Sequence, residues 1–407
     1  MNTSIWPKVS VVIPVLDRPD MTRDLVERLW YQNYPGPIEI IVVAPPGDPT
    51  WNALQDPIKS GWVVAIEAHV ETPRRDANAR RNLGLQAATG EIIGLTDADI
   101  VPPPTWVSTG VNLIHDQGWH CVAGPVLSVS DHIGIHDACI VAKVPRMEQP
   151  YVLSSKNAGK IGYKLPVTAN TFMDRAVLDT VGLLDPTMVV DYEDYEFYTR
   201  VVQYCQIFCT PDLRVQHHHR TNWEEILFEW WRSGIGCADF VWRHPRSTLA
   251  RSRLLQLNAV IVAFAFALYV AVTGLSWLFR GASKAPTQNR TSGLPIIQTP
   301  TLDPSLDTAP AVVLWSVAVG VAVALALVLL NALKERRAIA SVYPVATLAL
   351  GMAFSTAMVL RLGRHFREGR SGYIPLIRAE VVAVHNGRPD IQFDLEAACG
   401  RPPSVRR

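Results

Sequence analysis

Two aspartates separated by a single residue are the clearest chemical feature of this sequence. Asp97 and Asp99 directly follow residues 91–96, an apolar run with the length of a buried strand. Carboxylates at positions i and i+2 after a strand can lie in one turn and share a divalent cation. Hard oxygen ligands favour Mg²⁺ or Mn²⁺, and both ions also bind a diphosphate. The pair therefore predicts a site for a metal ion and a diphosphate, although acidic turns on protein surfaces have the same pattern.

The residues around this pair predict the sheet that would position it. Apolar, β-branched runs at residues 9–15, 38–43, 62–66 and 91–96 alternate with helical spacing at 21–32 and 78–88. Alternating strands and helices favour an α/β fold with a mostly parallel sheet and crossover helices. Ligands of such sheets bind beyond the carboxyl ends of the strands, where Asp17, Asp48 and the Asp97/Asp99 pair fall.

Three long hydrophobic segments follow, at residues 256–278, 311–333 and 338–360. Each has the roughly 20 residues needed to cross a bilayer and no charged residue inside it. We therefore predict three parts: a cytosolic domain at residues 1–245, a membrane anchor at 246–360 and a basic C-terminal tail at 361–407. The predicted location is the cell (inner) membrane, with several crossings.

The clusters of arginine do not agree with a single number of membrane crossings. Arg251 and Arg253 before the first segment, and Arg336 and Arg337 before the third, favour cytosolic positions. The arginines after residue 360 also favour the cytosol, yet three full crossings would place them outside. One of the segments could be re-entrant or interfacial, and the sequence leaves this open.

Composition excludes several classes of protein. The formal net charge of +1 over 407 residues gives no basic surplus for nucleic acid. The six cysteines form no CxxC pair, so a zinc site is not indicated and free thiols in a reducing compartment are expected. Residues 1–8 lack the features of a signal peptide, which also favours a cytosolic N-terminal domain.

Six motifs in order give the sequence a resemblance to a known family. They are residues 11–15, Arg81-Asn82-Leu83-Gly84, Asp97-Ala98-Asp99, residues 170–175 with 181–185, residues 192–196, and residues 215–217 with 232–234. Together they resemble the inverting glycosyltransferases of family 2, which have the GT-A fold for nucleotide-diphospho-sugars. The resemblance covers residues 9–236. It implies a mixed or parallel sheet with flanking helices, followed here by C-terminal transmembrane helices.

The resemblance also implies roles for individual residues. Asp99 is the main metal ligand, Asp97 binds the ribose or the metal, and His217 joins them, with His218 as the alternative. Asp194 is the general base and Glu193 orients it or the acceptor. The remaining nucleotide-sugar-binding residues are Pro14, Asp17, Asp48, Arg75, Arg81 and Asn82, together with Asp97. The alternative without a functional role is a solvated histidine tract for residues 217–219 and an acidic first helical turn for residues 192–196.

One departure from the family pattern concerns the nucleobase. After the second strand the family usually has Asp-Asp-Gly-Ser, whose acidic residue reads the base, whereas this chain has Ala44-Pro45-Pro46-Gly47-Asp48. Asp48 could substitute from a shifted loop, and Arg75 could contact the diphosphate or be a solvated loop residue. The sequence therefore does not predict which nucleobase the donor carries. No QxxRW motif is present, which favours a single transfer over processive polymerisation.

The sequence thus predicts a membrane-anchored, metal-dependent transferase of the hexosyltransferase type. It would move a sugar from a nucleotide-diphosphate donor to a lipid-linked or polysaccharide acceptor, without a nucleic-acid partner. The alternatives are a catalytically silent scaffold of a polysaccharide-assembly complex and a transporter with a cytosolic domain. Trp223, Trp230 and Trp231 could stack on sugar rings or lie at a membrane interface.

Overall fold

A computed structural model describes most of the N-terminal two thirds of the chain and parts of the remainder. The described residues are 6–71, 77–129, 147–160, 162–188, 190–219, 222–282, 343–368, 378–388 and 391–395. Two compact units are present, one formed by Met1–Arg253 with Ala346–Arg407 and the other by Leu254–Val345.

The strands and helices alternate in the first half of the chain and become mainly helical after residue 223. The strands are β1 (Val9–Pro14), β2 (Ile38–Ala44), β3 (Val63–Glu71), β4 (Ile92–Thr96), β5 (Ile100–Val101), β6 (Cys121–Ala123), β7 (Val126–Ser128), β8 (Tyr151–Leu153), β9 (Asn170–Asp174), β10 (Ile207–Cys209), β11 (Val215–His217) and β12 (Arg378–His385). The helices are α1 (Pro19–Trp30), α2 (Pro49–Ala53), α3 (Gln55–Lys59), α4 (Asn78–Ala87), α5 (Trp106–Val111), α6 (Arg175–Val181), α7 (Glu193–Tyr204), α8 (Trp223–Arg243), α9 (Thr248–Ala282) and α10 (Tyr343–Glu368).

The main sheet has nine strands in the order β12-β3-β2-β1-β4-β9-β6-β10-β8. Strands β3, β2, β1 and β4 are parallel, as predicted, and every residue of β1 is buried. Strands with both faces covered need apolar residues at successive positions, which explains the unbroken β-branched run. Helix α4 lies directly on this part of the sheet, because a Cβ on Gly84 would come within 2.5 Å of Val12 Cγ1.

A second, three-stranded sheet positions part of the site. Its order is β5-β11-β7, and β11 pairs antiparallel with β5 so that His217 lies opposite Ile100. Since β5 begins directly after Asp99, this register brings a histidine more than a hundred residues away in sequence next to the Asp97/Asp99 turn. The ladder, rather than a local motif, creates this proximity.

The C-terminal tail that we predicted at residues 361–407 is partly an element of the main sheet. Strand β12 pairs antiparallel with β3, from Arg378 opposite Glu71 to His385 opposite Ala65, with an irregularity near Val381. This pairing also explains why β3 continues to Glu71, beyond the predicted end at residue 66. Covering the edge strand satisfies backbone groups that would otherwise be open to pairing with another chain.

Helix α10 belongs to the same unit and packs against α8. A Cβ on Gly234 would lie 2.2 Å from the Phe354 carbonyl oxygen, so only glycine permits this approach. Further along, Arg361 Nε and His365 Nε2 each lie 2.6 Å from Asp239 Oδ1, and Trp242 stacks on the His365 ring. The buried Asp239 carboxylate has a pKa below its ordinary value because these partners outweigh the opposing effect of burial.

The predicted hydrophobic segments map onto the structure unequally. Residues 256–278 lie within α9, residues 338–360 overlap α10, and residues 311–333 lie outside the described residues. Helix α10 starts at Tyr343 and runs on through charged residues to Glu368, so its bounds differ from the predicted span. In the part of the chain that is described, no helix combines the length and apolarity needed to cross a membrane.

Candidate active site

The predicted site residues near the strand ends lie on the carboxyl edge of the parallel strands. Pro14 is the buried last residue of β1, and Asp17 follows it in a left-handed conformation with φ 55°. The Asp17 amide donates to Asp48 Oδ2 at 2.9 Å, while Asp48 Oδ1 accepts from the Thr50 amide at 2.9 Å. Asp48 is therefore the N-cap of α2 and fixes the loop after β1. Its predicted contact with the donor base stays a prediction.

Arg81 connects the two acidic parts of the site. Its Nη2 donates to Asp97 Oδ1 at 2.5 Å, and its Nη1 lies 3.8 Å from Glu193 Oε1. Burial lowers the pKa of the guanidinium, but the charges of Asp97 and Glu193 outweigh burial and raise it. A permanently charged arginine thus lies between the Asp97/Asp99 turn and the acidic start of α7.

Asp99 and His217, two of the predicted metal ligands, contact each other. His217 Nε2 lies 3.1 Å from Asp99 Oδ1, and the His218 amide donates to the Asp99 carbonyl at 3.1 Å. Burial raises the pKa of Asp99, but the His217 hydrogen bond and charge outweigh it and lower the pKa; the same contact raises the pKa of His217 against burial. The other ring nitrogen, Nδ1, lies 2.8 Å from His219 Nδ1. Of the adjacent histidines, His217 is the one whose side chain meets Asp99.

The side chains available to a divalent cation are few. Asp97, Asp99 and His217 are partly exposed at one edge, although among the described residues no group of three or more His, Cys, Asp or Glu is arranged to hold a metal ion by itself. Mg²⁺ and Mn²⁺ commonly bind to one or two carboxylates together with phosphate oxygens of a substrate. These residues fit an ion that arrives with a diphosphate.

Asp194 lies in the first turn of α7 and is half-buried. Its Oδ1 accepts the Tyr195 amide at 2.7 Å. Burial, followed by the negative charges of Glu193 and Asp191, raises the pKa of Asp194 well above its ordinary value. A half-buried carboxyl with a raised pKa is a candidate proton acceptor, since general bases work best when their pKa approaches the operating pH.

Helix α4 holds the loop that leads to these acids. Asn82 Nδ2 donates to the Leu184 carbonyl at 3.0 Å and its Oδ1 accepts the Leu184 amide at 3.0 Å. One turn earlier, Asn78 Nδ2 donates to the Met188 carbonyl at 3.0 Å. Asn82 is fully buried and its side chain hydrogen-bonds to the backbone of Leu184. Its predicted contact with the donor stays a prediction. Arg75 lies outside the described residues.

Several residues that hold the acidic loop had not been singled out from the sequence. Asp191 accepts hydrogen bonds from the Tyr192 amide and from the Ser233 hydroxyl on α8. Tyr192 and Ser233 fell inside recognised motifs but carried no predicted role. Only the structure identifies this contact, because Asp191 and Ser233 are about forty positions apart in the chain.

Comparisons with known proteins agree with this geometry. Residues 10–181 match the family model described as glycosyl transferase family 2. The chain is similar to glycosyltransferase AglE of Haloferax volcanii, with 26% identity over 262 residues that cover 63% of this chain and 81% of the relative. It is also 26% identical over 107 residues to the glucosyl-dolichyl phosphate glucuronosyltransferase of the same organism, covering 26% of this chain and 33% of the relative.

A solved structure shows the same fold. The mannosyltransferase PcManGT from Pyrobaculum calidifontis, solved in complex with GDP-Man and Mn²⁺, superposes with a TM-score of 0.52 at 17% identity, and the match covers 88% of each chain. At this identity the likeness concerns the fold. The chain therefore has a GT-A-like mixed α/β fold, carries a glycosyltransferase family 2 domain and is a glycosyltransferase.

Proposed function

We propose that this chain transfers a sugar, with inversion, from a nucleotide-diphosphate donor to a hydroxyl of a lipid-linked or polysaccharide acceptor. The observation that carries the proposal is the Arg81 bridge between Asp97 and Glu193. It joins a carboxylate turn suited to a diphosphate to Glu193, the residue next to the half-buried Asp194 carboxyl that is suited to accept a proton. Both parts of the reaction need such groups within one cleft.

The donor side of the proposal rests on Asp97, Asp99 and His217. These residues would hold Mg²⁺ or Mn²⁺ together with the donor phosphates, and the cation would stabilise the charge that develops on the leaving diphosphate. Arg81, whose guanidinium already faces Asp97, would keep that carboxylate oriented. The solved mannosyltransferase of this fold contains Mn²⁺ and GDP-Man, which supports the assignment of the ion and leaves the donor base of this chain open.

The acceptor side rests on Asp194. The acceptor hydroxyl would give its proton to the Asp194 carboxylate as its oxygen attacks the anomeric carbon on the face opposite the leaving diphosphate, which inverts that centre. The raised pKa of Asp194 makes its carboxylate a stronger base toward the acceptor proton. Glu193 contacts Arg81 and orients the first turn of α7.

An acceptor at a membrane is supported by exposed apolar surface. Helix α9 exposes Leu255, Val262 and Tyr269 to 70%, 67% and 60%, along one side of the helix. Within the other unit, α8 exposes Leu227 and Phe228 close in sequence to Trp223. Lipid would cover such surfaces. One relative is a glucosyl-dolichyl phosphate glucuronosyltransferase, which agrees with a lipid-linked acceptor.

The pairing of β12 with β3 bears on the number of crossings. Both strands lie in one sheet, so the chain between them would have to cross a bilayer an even number of times. We therefore infer an even number of crossings between these strands, with α10 packed on α8 instead of spanning. The conflict among the arginine clusters then disappears, since the arginines after residue 360 lie on the same side as the catalytic domain.

The test uses the full chain in detergent or native membranes. Nucleotide sugars are screened for release of the nucleoside diphosphate with Mn²⁺, Mg²⁺ or EDTA. We expect release with at least one donor, dependent on the cation and lost in Asp99→Ala. Transfer that is insensitive to EDTA would contradict the metal assignment. Protease added to the outside of intact cells should spare residues 1–253, and cleavage there would contradict the proposed topology.

A further inference from the structure

We propose that Asp191 and Tyr192 are positioning residues for Asp194, and that α8 holds them in place. This inference rests on the proposed role of Asp194 as base and adds the device that would orient it. Asp191 and Tyr192 occupy the two positions of the chain immediately before the Glu193-Asp194 pair.

Tyr192 has a backbone conformation that a tyrosine rarely adopts. Its φ is 71°, in the left-handed region, where a bulky side chain is strained. It is also 3% exposed, and its ring lies 4.6 Å from that of Tyr195 and 6.0 Å from that of Phe240 on α8. Strain of this kind persists only where the surroundings fix the residue, and it concentrates at functional sites.

Polar contacts from α8 fix the residues on the N-terminal side of Tyr192. Ser233 Oγ donates to Asp191 Oδ2, while Asp191 Oδ1 accepts the Tyr192 amide at 2.7 Å. Arg232 Nε donates to the Val190 carbonyl at 3.1 Å. Together with the ring contacts, these bonds attach three consecutive residues to one helix.

The same helix approaches the Asp191 backbone so closely that a side chain is excluded. A Cβ on Gly236 would lie 2.4 Å from the Asp191 carbonyl oxygen. The Tyr192 side chain faces Arg253 and Cys237, which is one position after Gly236 on α8. The loop is therefore determined by backbone contact, ring packing and hydrogen bonds at once, and α7 starts from a fixed point.

This attachment has a consequence for the charge around the base. The groups that face Asp194 are Glu193, Asp191, Arg81, Tyr195 and Tyr198. Asp191 accepts hydrogen bonds from the Ser233 hydroxyl and the Tyr192 amide. Its negative charge raises the pKa of Asp194. Positioning and charge thus come from the same residue.

The variants Asp191→Asn and Ser233→Ala test the proposal in the full-length enzyme with its best nucleotide sugar and Mn²⁺. Asp24→Asn and Ser108→Ala are matched controls on exposed positions of α1 and α5. For Asp191→Asn we expect kcat to fall about tenfold because the base is misplaced, with the donor KM unchanged. The acid limb of the kcat profile should also move to lower pH, because a negative charge beside Asp194 has been removed. Ser233→Ala should lower kcat less and leave the pH profile nearly unchanged.

The outcomes are separable. Asp191→Asn with the kcat and pH profile of the wild type overturns the positioning role, as does a loss of donor affinity equal to the loss of kcat. If a variant unfolds, urea midpoints of Ser233→Ala against Ser108→Ala show whether stability alone accounts for its activity, and an activity loss that follows stability alone also overturns the role. A wild-type enzyme that binds donor but transfers no sugar to any acceptor contradicts the proposed function itself.

Discussion

Replacing Arg81 by methionine removes the cation that joins the two acidic parts of the site. The arginine side chain is 4% exposed, whereas those of Asp97 and Glu193 are 31% and 23% exposed. Breaking a fully buried pair typically costs 3–5 kcal/mol, but the two carboxylates here keep some water, so we expect a loss of about 2–3 kcal/mol. Methionine keeps most of the apolar stem, so little of this loss comes from a cavity. With an unfolding entropy of about 2.1 cal/mol/K per residue over 407 residues, the melting temperature should fall by about 2–4 °C.

The pH dependence of kcat should also change in Arg81→Met, and a loss of stability alone would not cause this change. The Arg81 charge lowers the pKa of Asp194, so its removal raises that pKa further and shifts the acid limb of the kcat profile to higher pH. Thermal unfolding and pH–rate profiles of Arg81→Met measure both effects. Arg28→Met, which breaks an exposed pair with Asp24 on α1, is the control and should leave both nearly unchanged. A wild-type melting temperature together with an unshifted profile would refute this reasoning.

Four further changes test other parts of the structure. Asp99→Ala should abolish Mn²⁺-dependent donor binding, while His217→Ala should weaken it less, as measured by calorimetry with and without Mn²⁺. Arg361→Ala should lower the free energy of unfolding by about 2–3 kcal/mol because Asp239 loses one of two buried partners. Since the folded pKa of Asp239 is lowered, the difference between this variant and wild type should persist at neutral pH and disappear as the pH falls below about 4, in urea unfolding at several pH values. Deleting residues 378–407 removes β12, leaves the edge of β3 unpaired and should cause aggregation visible by size-exclusion chromatography.

Local features of the fold could be predicted from the sequence, and distant pairings could not. The unbroken β-branched run of β1 and the turn after β4 follow from residue types within a few positions. The pairing of β12 with β3 joins residues about three hundred positions apart, and strand-like periodicity does not specify a partner. The arginines after residue 360 indicated a tail because charge dominates that composition, yet α10 uses Arg361 to bind Asp239.

Some residues of the candidate site could likewise be predicted from the sequence, and others could not. Asp97 and Asp99 could be selected as a carboxylate pair after a strand, and Arg81 and Asp194 because they lie in motifs that resemble those of family 2 glycosyltransferases. The structure adds that Asn82 is fully occupied by Leu184, which a motif cannot reveal. The roles of loop-holding residues depend on which helix packs on which loop. Such packing is decided by tertiary contacts, so the sequence alone gave them no assignment.

The most direct test of the account is the turnover of Asp194→Asn. This change keeps the shape of the side chain and removes the proton acceptor, so transfer at saturating donor should fall by at least about 10²-fold, the effect typical of a lost general base. Donor affinity should change little, since the donor contacts Asp97, Asp99 and Arg81 in our proposal. Donor binding, melting temperature and turnover are measured on one preparation. A folded Asp194→Asn enzyme that binds donor and transfers sugar near the wild-type rate would contradict the assignment of Asp194 as base.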